Sequence, residues 1–193
     1  MTDQATTDDA PASTAKDAAT RRGAAPGEGA SVSAAVVTIN RPAHELYAFW
    51  RDFTNLAKVM ENIERIEKSG ADRSTWEVKA PGGRTVQWDA IVTDDRPDAL
   101  IGWQSAEGSD VRNSGQVEFT PIEGRGTVVR AVIAYDPPGG AIAQFVAKLF
   151  QREPAIQARR DLRRFKQYME TGEISTSART RAAATDLPSE PAR

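Results

Sequence analysis

The chain has 193 residues, 39% of them hydrophobic, and a net charge of -2, which fits one globular domain with tails and not two full domains. It contains no cysteine and one histidine, which excludes disulfides, thiolate metal or redox centres and histidine clusters. Its apolar stretches, such as Ala141 to Phe150 interrupted by Gln144 and Lys148, fall short of the ~20 residues of a membrane-spanning helix.

Residues 1–31 are dominated by Ala, Thr, Asp, Ser and Gly, with Asp3, Asp8, Asp9 and Asp17 where a secretory signal would need an apolar run. They are expected to be a disordered tail, as are residues 173–193, leaving residues 32–172 as the folded domain. The expected location is the cytoplasm. Ser33 to Asn40 reads as a strand around Val37 and Ile39, and Arg41-Pro42 passes it into a helix. Leu46, Phe49, Trp50 and Phe53, spaced by three and four, make that helix amphipathic. A second short helix follows, capped by Thr54 or Asn55, with Leu56, Val59 and Met60 inward.

From Ile63 the period changes to two. Ile63 and Ile66 mark a short strand, and Arg73 to Ala80 places Trp76 and Val78 on one face. Pro81-Gly82-Gly83 makes a hairpin to Thr85–Thr93, where Val86, Trp88, Ala90 and Val92 share a face; Asp95-Arg96-Pro97-Asp98 turns the chain again. Leu100 to Ser105 carries Trp103, and Val111–Thr120 and Thr127–Tyr135 form the last pair. The inward sets are Val111, Asn113, Gly115, Val117 and Phe119, then Val129, Ala131, Ile133 and Tyr135. Short loops between successive strands predict an antiparallel meander. Asp136-Pro137-Pro138-Gly139-Gly140 ends the last strand. A helical stretch with Phe145 and Leu149 inward follows, restarts at Pro154 with Leu162, Phe165 and Met169 buried, and ends at Gly172. The predicted class is α+β, a helix-grip fold: a curled sheet of six or seven strands wrapped on a long C-terminal helix.

The chain resembles the START-like or SRPBCC superfamily, and within it the polyketide cyclase/dehydrase and coenzyme Q-binding branch. The resemblance rests on Val37-Thr38-Ile39-Asn40-Arg41-Pro42, Leu46 to Phe53, Trp88-Asp89-Ala90, Asn113-Ser114-Gly115 and Asp161 to Lys166. It spans roughly residues 32 to 174 and implies the fold. It does not carry over one activity, since the superfamily includes lipid carriers, receptors, cyclases and oxygenase subunits.

The expected cavity lining is Trp76, Val78, Trp88, Ala90, Trp103, Asn113, Val117, Tyr135, Phe145 and Leu149, around a pocket of roughly 300–1,000 Å³. The alternative is that the tryptophans fill the core, each indole N–H bonded to a backbone carbonyl. Asn113, Tyr135 and Gln104 are candidates to orient a ligand, although Asn113 can instead be a bulge residue beside Gly115. Catalytic residues are not identified: no nucleophile elbow, carboxylate pair, phosphate loop or metal-ligand set is present, and His44, Asp89, Asp94 and Asp95 read as surface or turn residues. Arg73, Arg84 and Arg112 could hold an anionic head group or simply face solvent. Arg152, Arg159, Arg160, Arg163, Arg164 and Lys166 form a basic helix face, either solvated or suited to transient membrane contact. The expected role is binding or transport of a hydrophobic small molecule, a lipid, quinone or polyketide, without cofactor, metal or nucleic acid. The alternatives are a cofactor-independent cyclase or dehydratase, and an accessory protein with a filled core.

Overall fold

The computed structural model describes residues 31–80, 83–109, 111–136 and 154–175. Among them, seven strands form one antiparallel sheet: β1 (Ser31–Ile39), β2 (Ile63–Lys68), β3 (Arg73–Ala80), β4 (Arg84–Arg96), β5 (Leu100–Ser105), β6 (Arg112–Ile122) and β7 (Gly126–Asp136). The spatial order is β1-β7-β6-β5-β4-β3-β2, so β2 to β7 are the expected meander and β1 pairs with the last strand, Ser33 opposite Ile133 and Ile39 opposite Thr127. Helix α1 (Ala43–Arg51) and a 3₁₀ helix (Phe53–Lys58) follow β1, and α2 (Pro154–Thr171) lies against the sheet. This is the helix-grip arrangement. The two tails and the stretch with Phe145 and Leu149 lie outside the described residues.

Local chemistry explains where the boundaries depart from expectation. The cap of the 3₁₀ helix is Asp52, whose Oδ1 accepts from the Thr54 N–H and hydroxyl at 3.2 and 2.7 Å; Thr54 is the partner, and Asn55 bonds the Phe49 carbonyl instead. Ile63 and Ile66 both face inward despite their spacing of three because a bulge separates Ile63 from Arg65. A second bulge between Val92 and Asp94 carries β4 past the expected turn, so Asp94 and Asp95 pair with Gly102 and Ile101. The turn falls at Pro97-Asp98, with Asp98 at φ 60°. Asp95 there meets α1, accepting from the Tyr47 hydroxyl at 2.5 Å and Arg51 Nε at 2.6 Å. Burial and this bond to a carboxylate push the Tyr47 phenol up to about 12.

Leu162 and Phe165 are the buried residues of α2 among those described. Phe165 is fully buried and its ring meets Phe49 and Trp50 at 5.2 Å each. Charged side chains then tie the helix to the chain around β1 and to the end of the 3₁₀ helix. Arg41 donates to the Met169 and Glu170 carbonyls at 2.8 and 3.2 Å, filling acceptors that a helix C-terminus leaves open. Lys166 Nζ reaches the Thr38 carbonyl at 2.7 Å, and Arg164 Nε the Val59 carbonyl at 3.0 Å. Gly172, at φ 81°, ends the helix as expected, its N–H on the Tyr168 carbonyl.

Gly126 combines two demands. Its φ is 87°, and a Cβ there would stand 2.2 Å from the Ile39 carbonyl oxygen and 2.7 Å from Asn40 Cα. Gly126→Ala is therefore expected to cost about 3 kcal/mol, left-handed strain plus a backbone clash. Gly124→Ala, at φ 71° with nothing within 4 Å, should cost only about 1 kcal/mol. Urea unfolding of the pair measures the difference; equal midpoints would refute the close-approach account.

Candidate functional site

Between the concave face of the sheet and the N-terminal half of α2 lies a cavity of about 120 Å³. Its floor is aromatic. Trp76 and Trp88 stand directly opposite each other on β3 and β4 and stack at 5.9 Å. Phe53, from the 3₁₀ helix, lies 5.6 Å from Trp76 and 6.1 Å from Trp103. Trp50, Leu56, Met60, Ile63, Val78 and Ile133 complete the apolar wall. The polar groups on the lining are few: Ser33, Asn62, Asn113, Gln157 and Asp161.

Of the expected lining residues, the structure brings Trp76, Val78, Trp88, Trp103 and Asn113 to this cavity. Ala90 and Val117 are buried in the closed core beside it. Tyr135 pairs with Asn113 across β6 and β7; Phe145 and Leu149 are outside the described residues. The cavity bounded by described residues, about 120 Å³, is smaller than the range expected from sequence. It is close to the ~150 Å³ of an engineered apolar cavity that takes one benzene.

Trp103 shows how the sheet builds the site. It sits opposite Gly115 on β6, and a Cβ on that glycine would lie 2.5 Å from Trp103 Cζ2 and 2.6 Å from the Val132 carbonyl oxygen. The indole lies over the bare backbone, and its Nε1 donates to Asn113 Oδ1 at 3.0 Å. Asn113 is thus neither a bulge residue, since the register from Arg112 to Ile122 is unbroken, nor wholly available to a ligand. The Trp76 indole donates to Ser74 Oγ at 2.9 Å. Both partners are side chains. Trp50 Nε1 and Ser33 Oγ are buried without a hydrogen-bond partner among the described residues.

Sequence reasoning missed Asp161. Its side chain lies on α2 facing the cavity, with Gln157 Nε2 donating to Oδ1 at 2.9 Å. Burial pushes its carboxyl up to about 6; the bond from Gln157, the Glu61 backbone N–H and the charge of Arg164 oppose the rise, and the charge of Glu61 adds to it. A signal was present: Asp161 falls beside Ala158, Leu162 and Phe165 on the inward stripe of the helix, where a carboxylate is out of place.

The other candidates sit away from the cavity. Gln104 and His44 are exposed, and Arg73 is exposed and paired with Asp89 at 3.6 Å. Within the basic face of α2, Arg164 and Lys166 are committed to backbone carbonyls and Arg160 lies 3.8 Å from Glu61; Arg152 is outside the described residues. No helix among the described residues is long and apolar enough to cross a membrane, and no cluster of three metal-ligating side chains occurs among them.

A curled sheet closed by a helix over an aromatic cavity defines a START-like, helix-grip protein. Residues 30–170 match the polyketide cyclase/dehydrase and lipid transport family, and the chain belongs to it. The crystal structure of DR_A0006 from Deinococcus radiodurans is 39% identical, matching 74% of this chain and all of that one with a TM-score of 0.60. TTHA0849 from Thermus thermophilus is 24% identical over 71% of this chain and 95% of its own, with a TM-score of 0.57. The Zhui aromatase/cyclase from a Streptomyces species matches 76% of this chain and 99% of its own at 13% identity and a TM-score of 0.56, a likeness of fold alone. No curated protein sequence matches the chain.

Proposed function

We propose that this protein binds or carries a hydrophobic small molecule in the cavity between the sheet and α2. The observation that carries this reading is the lining itself: an aromatic and aliphatic wall interrupted by a few polar groups, which is the usual composition of a small-molecule site. Lipids, quinones and polyketides all present an apolar body of this kind. Contact with a membrane during loading would fall to the exposed outer cations of α2 such as Arg163, because Arg164 and Lys166 are held inward.

Native mass spectrometry of the protein purified from its own host, followed by organic extraction, tests the reading. A stoichiometric apolar molecule supports it. An empty protein that a broad apolar library also fails to stabilise thermally refutes it in favour of an accessory role with a filled core. One feature favours the cyclase or dehydratase alternative: the Asp161 carboxyl, pushed up to about 6 by burial, lines the cavity where a general acid or base would stand. That reading requires Asp161→Asn to abolish turnover of a bound substrate while leaving its affinity within a few-fold.

A further inference from the structure

The polar groups of the cavity are of two kinds. Trp50 and Ser33 are 1% and 6% exposed, and the indole Nε1 and the hydroxyl Oγ have no partner among the described residues. The indole N–H only donates, and the serine hydroxyl can rotate to donate. Asp161, on α2, also lines the cavity and carries a carboxylate that only accepts and offers roughly four lone-pair sites. Gln157 Nε2 takes one at 2.9 Å, and the Glu61 backbone N–H supplies a second bond. Among the described residues no salt bridge joins Asp161 to a lysine or arginine: Arg160 lies against Glu61, and Arg164, whose charge acts on the carboxyl, donates its Nε–H to the Val59 carbonyl. The site therefore presents spare acceptors on the helix and orphan donors on the sheet and α1.

We infer that the cavity takes an uncharged ring bearing a hydroxyl group, whose O–H donates to the Asp161 carboxylate while an oxygen of the same ligand accepts from the Trp50 indole N–H or the Ser33 hydroxyl. A phenol or alcohol matches both kinds of group. A quinone, ketone or ether offers acceptors only and leaves the carboxylate unmatched. A carboxylic acid brings a second negative charge to a desolvated one, and an ammonium leaves the orphan donors facing a cation. This inference rests on the binding reading above and narrows its ligand class.

Calorimetric titration of the full chain with phenol, anisole, toluene and benzylamine at about pH 8 separates the possibilities, each probe having one ring and phenol remaining neutral there. Phenol is expected to bind roughly tenfold tighter than anisole or toluene, the worth of one hydrogen bond to a charged acceptor. In Asp161→Leu that preference should fall to within about twofold while toluene still binds, which also reports an intact cavity. The pH dependence gives an independent readout. The groups facing Asp161 are Gln157 and Arg164 from its own helix and Glu61 from the segment before β2, and its carboxyl takes up a proton at about pH 6. The phenol advantage should shrink in the wild type as pH falls through that value, and stay level in Asp161→Asn. Equal affinity for phenol and anisole, tightest binding by benzylamine, or a phenol preference unmoved in both variants overturns the inference and leaves the cavity reading intact. Failure of all four probes overturns both.

Discussion

Asp161→Asn is expected to stabilise the protein at neutral pH and to do almost nothing near pH 4. The wild-type carboxyl is raised from 3.8 to about 6 on folding, chiefly by burial. A raised folded value means that the folded state holds the proton more tightly. The associated stability is fully present below the unfolded value and is lost as pH climbs through about 4 to about 6. A rise of this size corresponds to at most about 3 kcal/mol, and partial solvent access reduces this to about 1–3 kcal/mol. Asparagine keeps an acceptor for Gln157 and carries no charge to desolvate. The stability difference between variant and wild type should therefore be near zero at about pH 4, rise through about pH 6 and level off. Asp52, Asp95 and Glu170 are lowered in the folded state and act in the opposite direction, but they cancel in the difference. Urea unfolding of both proteins at four or five pH values measures it, and a difference that does not change with pH would refute the assignment.

Gly115→Ala is expected to be more damaging than the addition of one methyl group implies. The new Cβ would meet Trp103 Cζ2 at 2.5 Å and the Val132 carbonyl oxygen at 2.6 Å, so the indole must leave its seat. It would then lose its bond to Asn113 Oδ1 and its edge contact with Phe53. Overpacking, one hydrogen bond and one aromatic pair together amount to about 3–5 kcal/mol. A double-mutant cycle isolates the seat from the sheet: in a Trp103→Leu background, which opens space over the strand, the same alanine should cost about 2 kcal/mol less. Additive costs would mean that the clash with Val132, not the seating of the indole, is what the glycine avoids. Binding of an apolar probe should weaken in Gly115→Ala alongside stability, because the displaced ring is part of the cavity floor.

Several features of the site were legible in the chain. Trp76, Trp88 and Trp103 recur at period two in strands separated by turn residues, and alternation in a half-buried sheet leaves them one face to share. Asn113-Ser114-Gly115 marked a special place on β6, although its meaning changed: the glycine makes room for a ring from the neighbouring strand, and the asparagine holds that ring. The bulges at Ile63 and Val92 were hidden, since an extra residue breaks the period without leaving a compositional trace. Asp161 left only its place on the inward stripe of α2 as a signal, and an acidic residue among the arginines and lysine of that helix reads as part of a charged surface until the helix is docked.

Local preferences are written in the order of the residues: strand periodicity, the amphipathic stripes of α1 and α2, the chain stops at Pro97, Pro137 and Gly172, and the absence of cysteine chemistry. Such preferences act over a few residues and survive in any environment. Which side chains meet was settled by the fold alone. The pairing of Gly115 with Trp103, the unpartnered N–H of Trp50 and the desolvation of Asp161 all depend on groups far apart in the chain, and desolvation is a property of the space around a charge, not of the residue that bears it.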